Sequence, residues 1–361
     1  MKVSSLVLGG TLLSAASMSL AAVTIAPSPL WGIRPGETDW LGTDGSQRSI
    51  TYNPSTSNVI VASRLGGNKA VILNGGTGTE VGRLNVSGVS GGNLLAYNLI
   101  DTASDGSIYL VNLVQTGANL KIYRWASETA GRTDLGNTPP TLVFDAAIDT
   151  GNRWGDTMDV RIIGGTPTVL LNSRTGTVSA LVSLTNLSGT SGNTSTLITT
   201  DAAAGDMGIG AAFVDDDTYL TKAPSRPLRR LDITGTAATT SLNVGTLLGS
   251  TSGVGYDAVN GVVGIVHYST AGIGPNVQLY PISDFSAAAN GAFLAPTSGP
   301  FATNGNGTTQ ADFAPNGSGG GIVYAVSSNQ GVVAYEYAIP EPASLSLLGL
   351  GGLALLARRR A

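Results

Sequence analysis

Short runs of β-branched and aromatic residues recur in pairs along this chain, each pair joined by a polar turn, and this recurrence limits the fold more than any other feature. Asn58-Val59-Ile60-Val61-Ala62-Ser63-Arg64 is followed by Ala70-Val71-Ile72-Leu73-Asn74, and Ser107-Ile108-Tyr109-Leu110-Val111-Asn112-Leu113 by Leu120-Lys121-Ile122-Tyr123-Arg124-Trp125. The pattern returns at 168–173 with 178–182, 218–222 with 227–231, 261–266 with 276–280, and 321–326 with 331–335. Between first strands, at positions 59, 108, 169, 218, 262 and 322, the steps are 49, 61, 49, 44 and 60 residues. A small sheet cannot bury both faces alone, so repeated sheets must stack on one another. Steps of this size fit propeller blades of about 40–50 residues with loop insertions. The expected fold is therefore all-β, a β-propeller of six or seven blades, with a parallel β-helix or a two-sheet sandwich as the alternatives. Leu30-Trp31-Gly32-Ile33-Arg34 is expected to supply the outer strand of the last blade, closing the ring and removing an exposed sheet edge.

Composition agrees with strands and tight turns. Hydrophobic residues make up 42% of the 361 residues, enough for a sizeable core, whereas charged residues are 12%, about half the usual share, and there are 50 glycines. A net charge of −4 with no basic cluster in the body argues against a nucleic-acid partner. Cysteine is absent, which excludes disulfides, thiolate metal sites and a cysteine nucleophile.

The two ends differ from the body. Met1 and Lys2 precede an apolar stretch over 3–20, and Ser19-Leu20-Ala21 offers small residues for cleavage. This predicts a signal peptide over 1–22, a helix cut after Ala21 or Ala22. At the other end Pro340-Glu341-Pro342 leads into an apolar run over 343–357 and then Arg358-Arg359-Arg360. The run is short beside the roughly 20 residues of a comfortable span, but it can hold a membrane by tilt or thinning, and the arginines keep their side cytoplasmic. The domains expected are the leader at 1–22, a propeller-like body at 23–339 and a sorting tail at 340–361.

This order of Pro-Glu-Pro, apolar helix and basic end resembles the PEP-CTERM sorting signal of Gram-negative bacteria. The resemblance covers only the last two dozen residues. It implies export through the general secretion machinery, transient anchoring in the inner membrane by the carboxy-terminal hydrophobic helix, and processing by an exosortase near Pro340, Glu341 and Pro342. The mature protein would then be at the cell surface, in the outer membrane or outside the cell, often beside genes for exopolysaccharide and biofilm. Within the body, phrases such as Ser107-Ile108-Tyr109-Leu110-Val111 and Gly321-Ile322-Val323-Tyr324-Ala325 look like β-propellers of the broad YVTN and quinoprotein-like type.

Site signals in the body are sparse, and no catalytic residue stands out. His267 is the only histidine, so a His-based metal cluster is impossible and a structural role is the expectation. Asp215-Asp216-Asp217 could join a calcium ion, but the alternating spacing of a calcium loop is missing and a solvated turn is the plainer reading. Asp101, Asp105, Asp156 and Asp159 are read in the same way, as turn residues. The glycines at 75–78 and at 208 and 210 lack the helix and lysine of a phosphate loop. Arg226, Arg229 and Arg230 read as a solvated edge or a contact between blades. Trp31, Trp40, Trp125 and Trp154 with Tyr52, Tyr97, Tyr109 and Tyr123 are candidates for a sugar-stacking platform. The function expected is a non-enzymatic binding or structural protein of the surface or matrix, in contact with exopolysaccharide and needing no cofactor. The alternative is a secreted propeller enzyme, a hydrolase, lactonase or lyase, using carboxylates and a metal ion.

Overall fold

The computed structural model describes residues 22–149, 151–245, 247, 249–269, 274–317 and 319–340. The expected signal helix and carboxy-terminal hydrophobic helix lie outside them, as do Ala21, Glu341, Pro342 and Arg358 to Arg360. Strands account for nearly all regular structure. The single α-helix among the described residues is the turn Glu128–Gly131, capped by Ser127, whose hydroxyl accepts from the Ala130 N–H.

The strand pairs found in the sequence are the middles of antiparallel sheets. The first sheet runs Gln47–Asn53, Asn58–Ser63, Lys69–Asn74, Glu80–Leu84, and the second Leu95–Thr102, Ile108–Gln115, Leu120–Trp125, Thr141–Ala146, with Arg153–Trp154 added against Ile108–Gln115. An eight-stranded sheet follows. One half is Asp159–Ile163, Thr166–Asn172, Val178–Ser183, Thr194–Thr200, and the other is Gly210–Phe213, Thr218–Lys222, Leu228–Thr234, Ala237–Val244. The ladder joins the halves only over a short parallel pairing, Thr199 with Ala237 and Thr200 with Ala238. Thr251–Asp257, Val262–His267, Asn276–Pro281 and Ala289–Ala292 form the next sheet, and Thr309–Pro315, Gly320–Ser327 and Gly331–Ala338 begin the last.

Burial on both faces explains why the strands read as continuous apolar runs rather than alternating ones. In Asn58–Ser63, Val59 and Val61 pack towards the last sheet with Trp31, Tyr324 and Val326, while Ile60 and Ala62 pack towards the second with Tyr97, Ile100 and Leu110. The same division separates Tyr109 and Val111 from Ile108 and Leu110. Such clusters lie between each sheet and the next, between the two halves of the eight-stranded sheet, and between the last sheet and the first. The arrangement is propeller-like.

Closure falls where the sequence placed it. Trp31–Ile33 pairs with Gly331–Ala338, Trp31 opposite Ala334, and the Trp31 indole N–H donates to the Gly75 carbonyl at 2.8 Å. A second segment, Thr24–Ile25, continues the same edge, with Thr24 opposite Ala338. At the centre, the first strands of successive sheets touch one another in a ring. Two of them meet so closely that a Cβ on Gly253 would lie 2.3 Å from the Thr309 carbonyl oxygen, so only glycine fits there.

Candidate functional site

The first strand of each sheet is an edge strand whose free side faces the central axis. Its inward N–H groups have no ladder partner, and an unpaired buried amide is costly. Side chains of the neighbouring inner strand satisfy them. Asp312 accepts from the Tyr52 N–H at 2.6 Å, Gln310 from the Ile50 N–H at 3.2 Å, Asp101 from the Val160 N–H at 2.7 Å, and Ser49 from the Ile100 N–H at 2.8 Å. Asp159 accepts from the Phe213 N–H and Thr309 from the Gly253 N–H. The polar lining of the axis is therefore first a means of joining sheets whose backbones do not pair.

The axis holds two basins. One, of about 440 Å³, lies at the ends of the inner strands and is lined by Asp101, Asp159 and Asp312 with Tyr52, Phe213 and Tyr256. Burial raises all three carboxyls, and the charge of Asp159 adds to the rise at both Asp101 and Asp312; Asp312 is pushed up to about 7. Calcium needs six to eight oxygen ligands. Here Asp101 also accepts the Thr51 hydroxyl and Asp312 the Phe313 N–H, so these carboxylates are committed to protein donors. Among the described residues, no group of three or more His, Asp or Glu is placed to hold a metal ion.

At the starts of the inner strands lies a basin of about 230 Å³, lined by Arg48, Arg64, Arg153 and Arg174 with Asp156, Asn306, Thr308, Leu95, Leu113 and Ile209. Between the basins the space narrows to about 10 Å³ beside Arg48, Leu99, Met158 and Ile209, room for about one water molecule. Arg48 is 5% exposed and held rigidly, its Nε donating to Asn98 at 2.8 Å and its Nη1 to Thr308 at 3.2 Å. Asn98 is itself anchored on the Gly155 carbonyl. Arg153 forms a bidentate pair with Asp156 at 2.6 and 2.8 Å. Arg174 donates to the Gly208 carbonyl and Arg64 to the Gly45 carbonyl, both at 3.2 Å. Among the described residues, no carboxylate forms an ion pair with Arg48, Arg64 or Arg174. Burial lowers the pKa of all three, Arg48 to about 10 with the charge of Arg64 adding to the effect, and all stay cationic at neutral pH. Planar guanidinium forks turned into one partly apolar basin can recognise an oxyanion.

The sequence did not reveal this mouth. Its arginines are spread from 48 to 174, and the only local sign is that Ser63-Arg64 and Ser173-Arg174 stand at the same place in two units, just after the second strand. Other sequence candidates fall elsewhere. Asp215, Asp216 and Asp217 form an exposed turn, where Asp216 pairs with Arg161 at 2.7 Å. Asp105 holds its turn through the Ser107 N–H, as a turn residue should. The same reading is corrected for Asp101, Asp156 and Asp159, because Asp101 and Asp156 are buried and all three line the axis. The aromatic platform does not form: the four tryptophans, Tyr97, Tyr109 and Tyr123 are buried between sheets, leaving Tyr52 half-buried at the carboxylate basin. Arg226 and Arg229 pair with Asp206 at 3.4 and 2.7 Å. His267 is buried and hydrogen-bonded to Ser250, a structural position.

Past the closing strand, Ile339 donates its N–H to the Gly319 carbonyl and Pro340 is exposed, so the chain leaves the body here. Residues 338–360 match the family described as the PEP-CTERM protein-sorting motif. The chain carries that sorting motif. It marks an exported protein that an exosortase processes after transient anchoring in a membrane. The body is similar in fold to a DUF4623 family protein from Bacteroides eggerthii, with a TM-score of 0.60 and 18% identity over 83% of this chain and 72% of that one. It is also similar to regucalcin from Agrobacterium tumefaciens, described as a calcium-binding protein, with a TM-score of 0.50 and 14% identity over 88% and 94% of the two chains. At these identities the likeness concerns the fold alone. No curated protein matches the sequence.

Proposed function

We propose that this is an exported surface or extracellular-matrix protein whose body, residues 23–339, is a six-bladed propeller that binds rather than catalyses, in association with exopolysaccharide. The observation that carries the reading is the sorting motif, which begins at Ala338, the last residue of the closing strand, so that the address follows the body without interrupting it. Six blades follow if each half of the eight-stranded sheet counts as one, since each has its own inner strand and its own core on either side. The leader is removed after Ala21 or Ala22, and exosortase removes the tail at 340–361. Binding is favoured over catalysis because the unpaired charge of the axis is cationic, while the carboxylates are occupied in joining strands.

The test is retention of the purified protein on exopolysaccharide extracted from producing cells. Retention released by raised salt is expected, and a protein that passes through unretained overturns the association. The second reading, a secreted enzyme using calcium and carboxylates, draws on the Asp101, Asp159 and Asp312 basin. It predicts a rise in melting temperature on adding calcium, because a ligand of the native state stabilises it by mass action. No such rise is expected here.

A further inference from the structure

The arginine mouth is unusual for this molecule. Most of the described cationic side chains, Arg34, Lys69, Arg83, Lys121, Arg132, Arg153, Arg161, Arg226, Arg229 and Arg230, sit beside a carboxylate. Arg48, Arg64 and Arg174 form no such ion pair, nor do Arg124 and Lys222, although Asp156 acts on Arg48 and Arg174 and Asp44 on Arg64; Arg48, Arg64 and Arg174 converge on one basin. The charges of Arg64, Arg153 and Arg174 disfavour the cationic form of Arg48, and the one carboxylate of the basin, Asp156, offsets this only in part because it is already paired with Arg153. A fold that gathers like charges without partners, in a chain with only 12% charged residues, stores an unfavourable interaction that a bound anion would relieve.

The shape of the basin narrows the ligand. About 230 Å³ is below the roughly 300–1,000 Å³ of pockets for drug-sized molecules, which excludes an oligosaccharide lying within it. Leu95, Leu113 and Ile209 form part of the wall, and Asn306 and Thr308 add neutral polar groups. A bare inorganic anion gains nothing from apolar walls, whereas a carbon skeleton carrying hydroxyls and one carboxylate uses every part of this lining. The most buried guanidinium is also the best prepared: Arg48 spends Nε and Nη1 on Asn98 and Thr308, and no described residue accepts from Nη2. Such preorganisation reduces the ordering cost of binding.

We propose that the Arg48, Arg64 and Arg174 mouth is a receptor for a small carboxylate-bearing ligand of the size of one sugar-acid unit, free or at the end of an acidic polysaccharide. The second source rests on the proposed exopolysaccharide association; binding of the free acid does not.

The experiment is a titration of the full-length chain in mild detergent with sodium glucuronate, glucose and inorganic phosphate at matched ionic strength, read by calorimetry and thermal melting. Glucuronate is expected to bind saturably and raise the melting temperature, glucose to do neither, and phosphate to bind at least tenfold more weakly than glucuronate. Arg174→Gln, and separately the half-buried Arg64→Gln, should weaken glucuronate binding at least tenfold while leaving the ligand-free melting temperature equal or higher, because each removes repulsion. A merely structural arginine would instead lower it. No saturable response, an equal response to glucose, phosphate binding as tightly as glucuronate, or unchanged affinity in both variants overturns the proposal. Chain-end recognition is tested by competition: glucuronate should elute the protein from exopolysaccharide. Retention that glucuronate does not compete overturns only the link between the two readings, whereas glucuronate binding without retention leaves the receptor standing and removes the matrix association.

Discussion

Asp101, Asp159 and Asp312 would all ionise at about pH 4 in water, yet on the axis all three carboxyls are raised. Burial is the largest cause at each, and Asp312 is brought to about 7. The consequence for stability has a definite sign. A carboxyl whose folded value is raised contributes fully below its unfolded value, near 4, and that contribution is lost as the pH climbs through the folded value. The protein should therefore melt progressively lower from about pH 4 to about pH 7. Asp159→Asn separates this effect from general charge repulsion. Its amide oxygen can still accept from the Phe213 N–H, and the substitution removes one titrating buried carboxyl. Thermal melts should show the variant about 1–3 °C higher at pH 8, equal to the parent at pH 4, and flatter between. A parent whose melting temperature is constant over this range, or a variant less stable at pH 8, contradicts the raised carboxyls.

The inner strands make their closest approach at glycines. On Gly253 a new Cβ would lie 2.3 and 2.4 Å from the Thr309 carbonyl oxygen and carbon, backbone atoms that move only if the strand Thr309–Pro315 moves. Gly253→Ala should cost about 2–3 kcal/mol by overpacking, whereas Gly245→Ala, which meets nothing within 4 Å, should stay within about 0.5 kcal/mol. Urea unfolding of both measures the difference, and equal stabilities would show that the strands can separate. Legibility in the sequence follows the same division between what is local and what is not. The strands Asn58–Ser63 and Ile108–Gln115 were readable because burial on both faces imposes a continuous apolar run on neighbouring residues. Closure by Trp31–Ile33 was readable because the last unit lacks a fourth strand before the tail. Asp101 and Asp159 were misread as turn residues because their partners, Thr51, Val160 and Phe213, belong to other strands. The arginine mouth escaped for the same reason: four residues from three successive units meet only when the sheets pack around the axis.

Closure also fixes how the whole molecule sits while its tail is in a membrane. Gly331–Ala338 ends opposite Gly320, and Gly321 in turn pairs with Pro315, which lines the carboxylate basin. The chain thus leaves for the sorting motif at the carboxylate end of the axis, and Thr308, at the other end of the same inner strand, lies in the arginine mouth. Thr24 pairs with Ala338, so the proposed leader would join the body at that same carboxylate end. Before processing, either tether would hold the carboxylate end towards the membrane and turn the arginine mouth outwards, where a ligand can reach it. The absence of cysteine makes this measurable with single introduced thiols. Asn306→Cys marks the arginine end and Val259→Cys the turn at the opposite end; both positions are exposed in the body. In membranes holding the unprocessed chain, a bulky membrane-impermeant maleimide should label position 306 several-fold faster than 259. After the tail is removed the two rates should converge. Equal rates in the tethered form would mean that the body tumbles freely on its linker, and the mouth would then owe its exposure to nothing in the sorting step.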